Sequence, residues 1–131
     1  MKRLVFGGVI FQSTPNNRLL KEEGEKMIFS VSAALLDTLV LRVVDERDSY
    51  GYEISQTLRD NLGISESTLY PVLRRLQRDD CLEVYDVEYS GRNRRYYRIT
   101  EKGRSQLQLY IVEWLDYKDR IDRILFGGKK K

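Results

Sequence analysis

The sequence predicts a mainly α-helical fold with one small β-hairpin and a long C-terminal helix. Three observations predict it. Apolar residues recur at helical spacing in three stretches between residues 31 and 78. β-Branched and aromatic residues flank a Gly-containing turn near residue 90, and a last helical pattern covers residues 101–125. With 131 residues, the chain can bury one modest core.

Two helices are predicted in the first half of this pattern. The first extends from Val31 to Val44, where apolar residues recur three and four positions apart. The second has Ser49 as its predicted N-cap and Gly63 as its left-handed C-terminal residue. Its predicted buried side consists of Ile54, Leu58 and Leu62.

The third helix has the most complete signals for its start. Ser65 is its predicted N-cap, and Ile64 and Leu69 occupy the two positions of a hydrophobic staple. Pro71 removes one backbone donor early in the helix, so we expect a loosened first turn. The predicted buried stripe is Leu69, Val72, Leu73 and Leu76.

The hairpin and the last helix follow directly. Two strand-like runs, Leu82–Tyr89 and Arg94–Ile99, flank a turn at residues 90–93. Thr100 is the predicted cap of a helix at Glu101–Leu125. We therefore divide the chain into a three-helix and hairpin domain at 27–100, a C-terminal helix at 101–126 and a basic tail at 127–131.

Residues 1–26 differ from the rest, because loop-forming residues and a charge run replace the apolar periodicity. We predict an N-terminal extension that is flexible or non-native. Lys-Glu-Glu-Gly lies just before Met27, as a purine-rich ribosome-binding site would encode, so Met27 is a hypothetical native start. The alternative is a genuine N-terminal arm, helical near Leu19.

The composition argues against several classes of function. His is absent and Cys81 is the one cysteine, so we predict no disulfide framework, no metal site and no His-based triad. Cys81 is interpreted as a small hydrophobic residue at the core edge rather than a reactive thiol. No phosphate-loop spacing is present, so we predict no cofactor and no enzyme. Without a long apolar run or a cleavable signal, we expect a cytoplasmic protein with no membrane partner.

The third helix and the hairpin have the chemistry of a DNA-binding surface. Small hydroxyl residues at the start of the helix can approach bases or phosphates, where the helix dipole also favours anions. The hairpin adds Arg92, Arg94, Arg95 and Arg98 within one turn and strand, as suits a phosphate backbone or a minor groove. Alone, such a hairpin is better explained as a solvated charged turn, because charge runs on turns are common. Beside a helix-turn-helix pattern it favours DNA binding, and the sequence predicts a winged helix-turn-helix. The outward residues of the third helix are Glu66, Ser67, Thr68, Tyr70, Arg74, Arg75 and Arg78.

Three stretches, Tyr50–Ile54, Thr68–Leu76 and Gly91–Gly103, resemble the PadR family of transcriptional regulators in content and order. The resemblance covers about Phe29 to Leu125. Because the chain ends soon after its last helix, it is similar to the short, multidrug-repressor-like subfamily. Asp80 stands where this family usually has Gly, so we expect a strained or reshaped exit from the third helix.

The resemblance implies a homodimeric repressor acting on a partly palindromic operator in double-stranded DNA. Glu53 is assigned to local structure, since a carboxylate would repel phosphate. Combined with the outward face of the third helix, the resemblance gives a predicted DNA-binding set of Tyr50, Ser65, Ser67, Thr68, Tyr70, Arg74, Arg75, Arg92, Asn93, Arg94 and Arg95.

The last helix has apolar residues spaced alternately three and four apart, as in a heptad seam. We predict that this seam forms a twofold dimer interface. The third helices of the two copies, which would be the recognition helices, then face half-sites about 34 Å apart. Its residues are Leu107, Tyr110, Trp114, Tyr117, Ile121 and Ile124.

Trp114, with Tyr110 and Tyr117 beside it, has two interpretations. One is a site where paired tryptophans of a dimer stack a planar aromatic effector, as the resemblance implies for some short members. The other is a plain aromatic residue of the dimer core. An alternative for the whole chain is a winged helix used only for protein interaction, without operator or effector.

Overall fold

The computed structural model describes residues 2–6, 9–13 and 29–127. The described residues fall into two compact units, one holding residues 29–112 and the other the N-terminal strands with residues 113–127. The elements in chain order are β1 Lys2–Phe6, β2 Val9–Ser13, α1 Ala33–Glu46, β3 Ser49–Tyr50, α2 Gly51–Leu62, α3 Glu66–Arg78, β4 Leu82–Tyr89, β5 Arg92–Ile99 and α4 Glu101–Phe126.

The predicted fold class is confirmed. Three helices precede a hairpin formed by β4 and β5, and α4 closes the order as a single long helix. The hairpin, with its turn, is the wing. β5 is the central strand of a three-stranded antiparallel sheet, because β3 pairs with its other edge through Ser49↔Tyr97 and Tyr50↔Tyr96. None of the helices in the described part of the chain is long and apolar enough to cross a membrane.

The N-terminal strands were not predicted. β1 pairs with β2 in antiparallel register from Lys2↔Ser13 to Phe6↔Val9. The sequence did contain a signal, since a Gly-Gly pair between two apolar runs is typical of a tight hairpin. Leu19 and Met27 lie outside the described residues, so the status of the predicted extension stays a prediction.

One apolar cluster forms the core of the unit at 29–112. The predicted stripe of α3 is buried in it, with each of its four residues less than 5% exposed. α1 adds Val40 and Leu41, and α2 adds Ile54, all with no exposed surface. Full burial of such a side chain contributes about 1.5–3 kcal/mol, so this cluster fixes the positions of the three helices. Cys81 is buried at its edge, as predicted.

The start of α2 differs from the prediction. Ser49 was expected as its N-cap, but Ser49 is buried in β3 and its hydroxyl donates to the carbonyl of Arg47 at 3.0 Å. Pairing with β5 extends the strand by one residue, so Tyr50 becomes the N-cap. The Glu53 carboxylate accepts from the backbone N–H of Tyr50 at 3.2 Å, which is the local role predicted for it.

The other two boundary findings concern left-handed residues. Asp80 has φ of 64°, so it adopts the conformation expected where Gly would be easier. The wing turn consists of Ser90 and Gly91 alone, with φ of 52° and 78°. Two successive positive φ values form a tight hairpin turn, and β5 therefore begins at Arg92 rather than at Arg94 as predicted.

The start of α4 packs against the exit of α3. Thr100 caps α4 as predicted, accepting from the N–H of Gly103 at 2.9 Å, and its hydroxyl donates to the Asp80 carbonyl at 2.6 Å. A Cβ at Gly103 would overlap the carbonyl oxygen of Cys81 and lie 2.9 Å from the side chain of Ile99. Only glycine permits this approach of helix to backbone.

We therefore expect Gly103→Ala to destabilise the protein by about 2 kcal/mol or more, because overpacking exceeds the roughly 1 kcal/mol helix-propensity gain. Urea unfolding followed by circular dichroism measures this loss. Ser105→Ala, at an exposed position of the same helix, is the matched control and should change stability by less than about 0.5 kcal/mol. Equal stabilities of the two variants would contradict the packing described.

Candidate nucleic-acid interface

Three hydroxyl groups cluster at the N-terminus of α3. Ser65 is the N-cap, and its Oγ accepts from the N–H of Thr68 at 3.4 Å. The same Oγ lies 3.0 Å from Ser67 Oγ and 3.1 Å from Thr68 Oγ1. Ser67 and Thr68 are exposed, whereas Ser65 is partly buried and occupied by the cap. The two exposed hydroxyls, next to a positive helix end, can donate to a base edge or a phosphate.

Tyr70 joins this helix end to the start of α2. Its side chain is exposed, yet a Cβ built at Gly51 would lie 3.6 Å from its ring and its hydroxyl oxygen. Gly51 directly follows Tyr50, which pairs with Tyr96 of the wing. Residues 50 and 70, which the sequence analysis placed in one DNA-binding set, thus lie on adjacent parts of one surface.

The two neighbouring arginines of α3 have different surroundings. Arg74 is exposed and has no ion-pair partner among the described residues. Arg75, predicted to face outward, instead pairs with the buried carboxylate of Asp37 in α1. Burial raises the pKa of Asp37, although the hydrogen bond and charge of Arg75 act to lower it. The physical reason for this correction is helical rotation, since successive residues differ by about 100° around the axis.

The wing separates its arginines by strand alternation. Arg92, Arg94 and Arg98 share one face of β5, and Asn93 and Arg95 lie on the other, because successive side chains of a strand point to opposite faces. Arg94 and Arg95 were predicted as DNA contacts of one kind. The register assigns them to different faces of the wing.

Arg95 and Tyr97 lie on the same face of β5. Burial raises the pKa of the Tyr97 hydroxyl, while the cations of Arg95 and Arg74 act to lower it and Tyr70 acts to raise it. Arg95 also has a weak surface ion pair with Asp86 at 3.7 Å. Tyr97 is buried, whereas Tyr70, Arg74 and Arg95 are exposed, so α3 and this face of the wing both present polar or cationic side chains to solvent.

On the opposite face of the wing, Arg98 pairs with two carboxylates of its own chain. Its guanidinium donates to Glu83 at 3.0 Å and to Asp48 at 3.4 Å, and lies 4.6 Å from the ring centroid of Tyr85. The hydroxyl of Tyr85 donates to the same Asp48 carboxylate at 2.6 Å. Arg98 thus connects the wing to the loop after α1, and two carboxylates already pair with its charge.

The sequence analysis included Tyr50 in the DNA-binding set but missed Tyr85, Tyr89 and Tyr96 on the same face. The ring of Tyr96 lies 5.4 Å from Tyr50 and 5.6 Å from Tyr85, and the guanidinium of Arg94 lies over both Tyr50 and Tyr89. The period of two along Leu82–Tyr89 and Arg92–Ile99 could have placed these tyrosines on one face with Arg94. The register between the strands was the missing information.

The first turns of α4 correct one predicted dimer residue. Leu107 is only 1% exposed, because Gly103, Leu107 and Ile111 recur four apart and pack on the core of the unit at 29–112. It belongs to the core of its own chain. Tyr110 is partly buried.

The rest of the predicted seam lies in the unit that includes residues 113–127. Trp114 and Ile121 are each 38% exposed, Tyr117 is 61% exposed and Ile124 is 81% exposed. The rings of Trp114 and Tyr117 lie 6.3 Å apart at 42°. This half of α4 therefore exposes large apolar side chains.

Comparisons with known proteins give a consistent result. Residues 40–109 match a family described as the transcriptional regulator PadR-like family. An uncharacterized protein of Lysinibacillus sphaericus is 40% identical over 97 residues, which is 70% of this chain and 89% of that one. The crystal structure of smu.1704 from Streptococcus mutans is 43% identical with a TM-score of 0.73, covering 80% of this chain and 99% of that chain.

Two further structures share the fold. A PadR family transcription regulator from Clostridium difficile is 29% identical with a TM-score of 0.64, covering 69% of this chain and 97% of that chain. PadR of Bacillus subtilis, at 20% identity and a TM-score of 0.55, covers 59% of this chain and 46% of that chain, and shows the fold alone.

The different surroundings of Arg74 and Arg75 predict different stabilities for their alanine variants. Arg75→Ala leaves a buried carboxylate without its cation and should cost about 1–3 kcal/mol at neutral pH, discounted because the arginine is one-third exposed. Arg74→Ala should change stability by less than about 0.5 kcal/mol.

The loss in Arg75→Ala should also shrink as pH falls from 7 towards about 4. Without Arg75, burial and the charge of Asp79 both raise the pKa of Asp37 without opposition, so the folded protein takes up a proton before the unfolded chain does. Urea unfolding of both variants across this range measures the effect. A loss that stays constant or grows on acidification would contradict it.

Proposed function

This chain belongs to the PadR-like family of transcriptional regulators, whose members are regulators rather than enzymes, and we propose that it binds a specific operator in double-stranded DNA. One observation supports this most: Tyr70 of α3 lies beside Gly51, and the adjoining Tyr50 pairs with Tyr96 of the wing, so the start of α3 and the wing are adjacent. A polar, cationic surface that joins a helix end to a hairpin fits a major groove and the adjoining backbone.

Within this proposal the side chains have separate roles. Ser67, Thr68 and Tyr70 read base edges, since they are exposed at the end of α3 that enters the groove in this class of protein. Arg74 and Arg95 bind phosphates, which gives affinity without sequence preference. Asn93 and Arg92, exposed next to the wing turn, extend the phosphate contact. Ser65 and Arg75, occupied by the cap and by Asp37, act as local structure.

The structure of PadR from Bacillus subtilis in complex with operator DNA is consistent with this use of the fold. We also propose a cytoplasmic location, because a transcription regulator acts on DNA. We further propose that it acts as a repressor on a partly palindromic site.

A palindromic site requires two copies of the chain. The apolar side chains of Trp114, Tyr117, Ile121 and Ile124 support a homodimer formed through the second half of α4, since such residues are rarely left in water along a whole helix. A twofold axis there would repeat the recognition helix at half-sites about 34 Å apart.

An effector site near Trp114 is a finer proposal. Its ring is 38% exposed and tilted against Tyr117, so a second copy would bring another indole to the same axis. Tyr110 was assigned to this site from spacing alone. A plain aromatic dimer core explains Trp114 equally well. Titration with a planar cationic dye separates the two, because only an open site quenches the fluorescence of this single tryptophan.

For DNA binding, we expect Arg74→Ala and Arg95→Ala each to weaken binding to a mixed-sequence duplex. The plot of log K against log salt concentration has a negative slope, and each variant should reduce the magnitude of that slope by about one. Arg98→Ala, on the same strand as Arg95, is the matched control and should keep the slope, because its guanidinium is already paired. Fluorescence anisotropy at several salt concentrations measures both quantities.

Selection of bound sequences from a random duplex library tests which residues read the bases. Thr68→Ala and Tyr70→Ala should change the selected sequence, which the arginine variants should not. If the protein binds duplex DNA no better than these variants do, and without salt dependence, the protein-interaction alternative is favoured.

For the dimer, we expect sedimentation at about twice the chain mass of 15.5 kDa. Ile121→Asp should shift the protein to the monomer, because it buries a charge in an apolar interface. Gln108→Asp, which adds the same charge at an exposed polar position of α4, should leave the dimer intact. A wild-type chain that sediments as a monomer at micromolar concentration would exclude this interface.

A further inference from the structure

Arg94 is held between two aromatic rings. Its guanidinium carbon lies 4.3 Å from the ring centroid of Tyr50 and 3.9 Å from that of Tyr89. Both distances are within the range of a cation–π contact, and arginine is the cation that stacks best on aromatic rings. The side chain is only partly exposed although it lies near the tip of the wing.

The two rings differ in how they are fixed. Tyr50 is the N-cap of α2, pairs with Tyr96 in the sheet, and lies 5.4 Å from its ring. Its position is therefore set by the folded unit. Tyr89 is the last residue of β4, directly before the turn, and is 56% exposed. The stack joins the tip of the wing to the start of α2.

The contacts of Arg94 differ from those of the other wing arginines with a described partner. Arg98 donates to Glu83 and Asp48, and Arg95 pairs with Asp86. Arg94 has no carboxylate partner among the described residues. Stacking covers the two faces of a guanidinium but leaves its N–H groups, which lie in the plane, free to donate. Arg94 is thus oriented while its donors stay available for an anionic acceptor.

We propose that Tyr89 is a positioning residue that holds Arg94 in a fixed orientation for a DNA phosphate. This inference rests on the proposed function, since it names how the wing contacts the duplex. A free arginine side chain loses rotamer freedom when it binds phosphate, whereas one already held between two rings loses less. This arrangement of Arg94 between Tyr50 and Tyr89, here called the clamp, also limits where the wing tip can lie relative to α2. It therefore limits which phosphate Arg94 can reach.

The test is a double-mutant cycle on duplex binding, with Tyr89→Ala, Arg94→Ala and the double variant. We expect Tyr89→Ala to weaken binding about two- to tenfold with an unchanged salt slope, because a phosphate contact is made at a higher ordering cost. Arg94→Ala should weaken binding and lower the slope by about one, because a phosphate contact is lost. The double variant should bind like Arg94→Ala alone.

Tyr89→Phe is the conservative control, because it keeps the ring and loses only the hydroxyl, so it should bind like the wild type. Tyr89→Leu keeps apolar bulk without the ring and should bind like Tyr89→Ala. Circular dichroism melting of each variant verifies that the fold is retained, as the exposure of Tyr89 leads us to expect. If either Tyr89→Ala or Tyr89→Leu loosens the wing, the other variant still tests the role of the ring.

Three outcomes would overturn the inference and identify what failed. Additive losses in the double variant mean that Tyr89 contacts DNA by itself. Wild-type binding by Tyr89→Ala, with a loss in Arg94→Ala, means that Arg94 needs no clamp, and the proposed function survives. A wild-type protein that binds no duplex removes the proposed function together with the inference.

Discussion

Burial of the apolar stripe of α3 is the constraint on which the rest of the DNA-binding surface depends. Leu69, Val72, Leu73 and Leu76 lie in a core shared with α1 and α2, and this fixes the rotation of the helix about its own axis. With one face buried, the residues left outside follow from the helical period. If the helix were rotated by one residue, Arg74 would face Asp37 and Arg75 would point into solvent.

The wing depends on the same principle with a different period. β5 is central in its sheet, so its register with β4 and β3 is fixed on both edges. Because Tyr97 and Ile99 are buried, their face of β5 packs inward, and the alternation of side chains then determines on which face each arginine lies. Chemically identical arginines therefore have different partners: one carboxylate for Arg95, two carboxylates for Arg98 and two aromatic rings for Arg94.

α4 shows how one helix can serve two environments. Its first turns use Gly103, Leu107 and Ile111 to pack on the core, and Gly103 is needed because the helix approaches the backbone of Cys81. Further along, the apolar side chains are exposed.

The sequence by itself determined the order and type of the helices α1 to α4 and of the two wing strands, because propensity, capping and periodicity are local properties. Ser65, Thr100 and the stripe of α3 needed no knowledge of the rest of the fold, and most residues of the proposed surface followed from that stripe. Only the tertiary structure decided which cations are free, since pairing depends on residues far apart in sequence. Asp37 with Arg75, Asp48 with Arg98 and Tyr50 with Arg94 are all such pairs. The same applies to β3, which exists only because β5 offers an edge, and to Leu107, whose burial depends on the packing of α4 on the core. Side-chain pairing across long sequence separations leaves no periodic trace, and it distinguishes Arg75, which is paired within the chain, from Arg74, which has no ion-pair partner among the described residues.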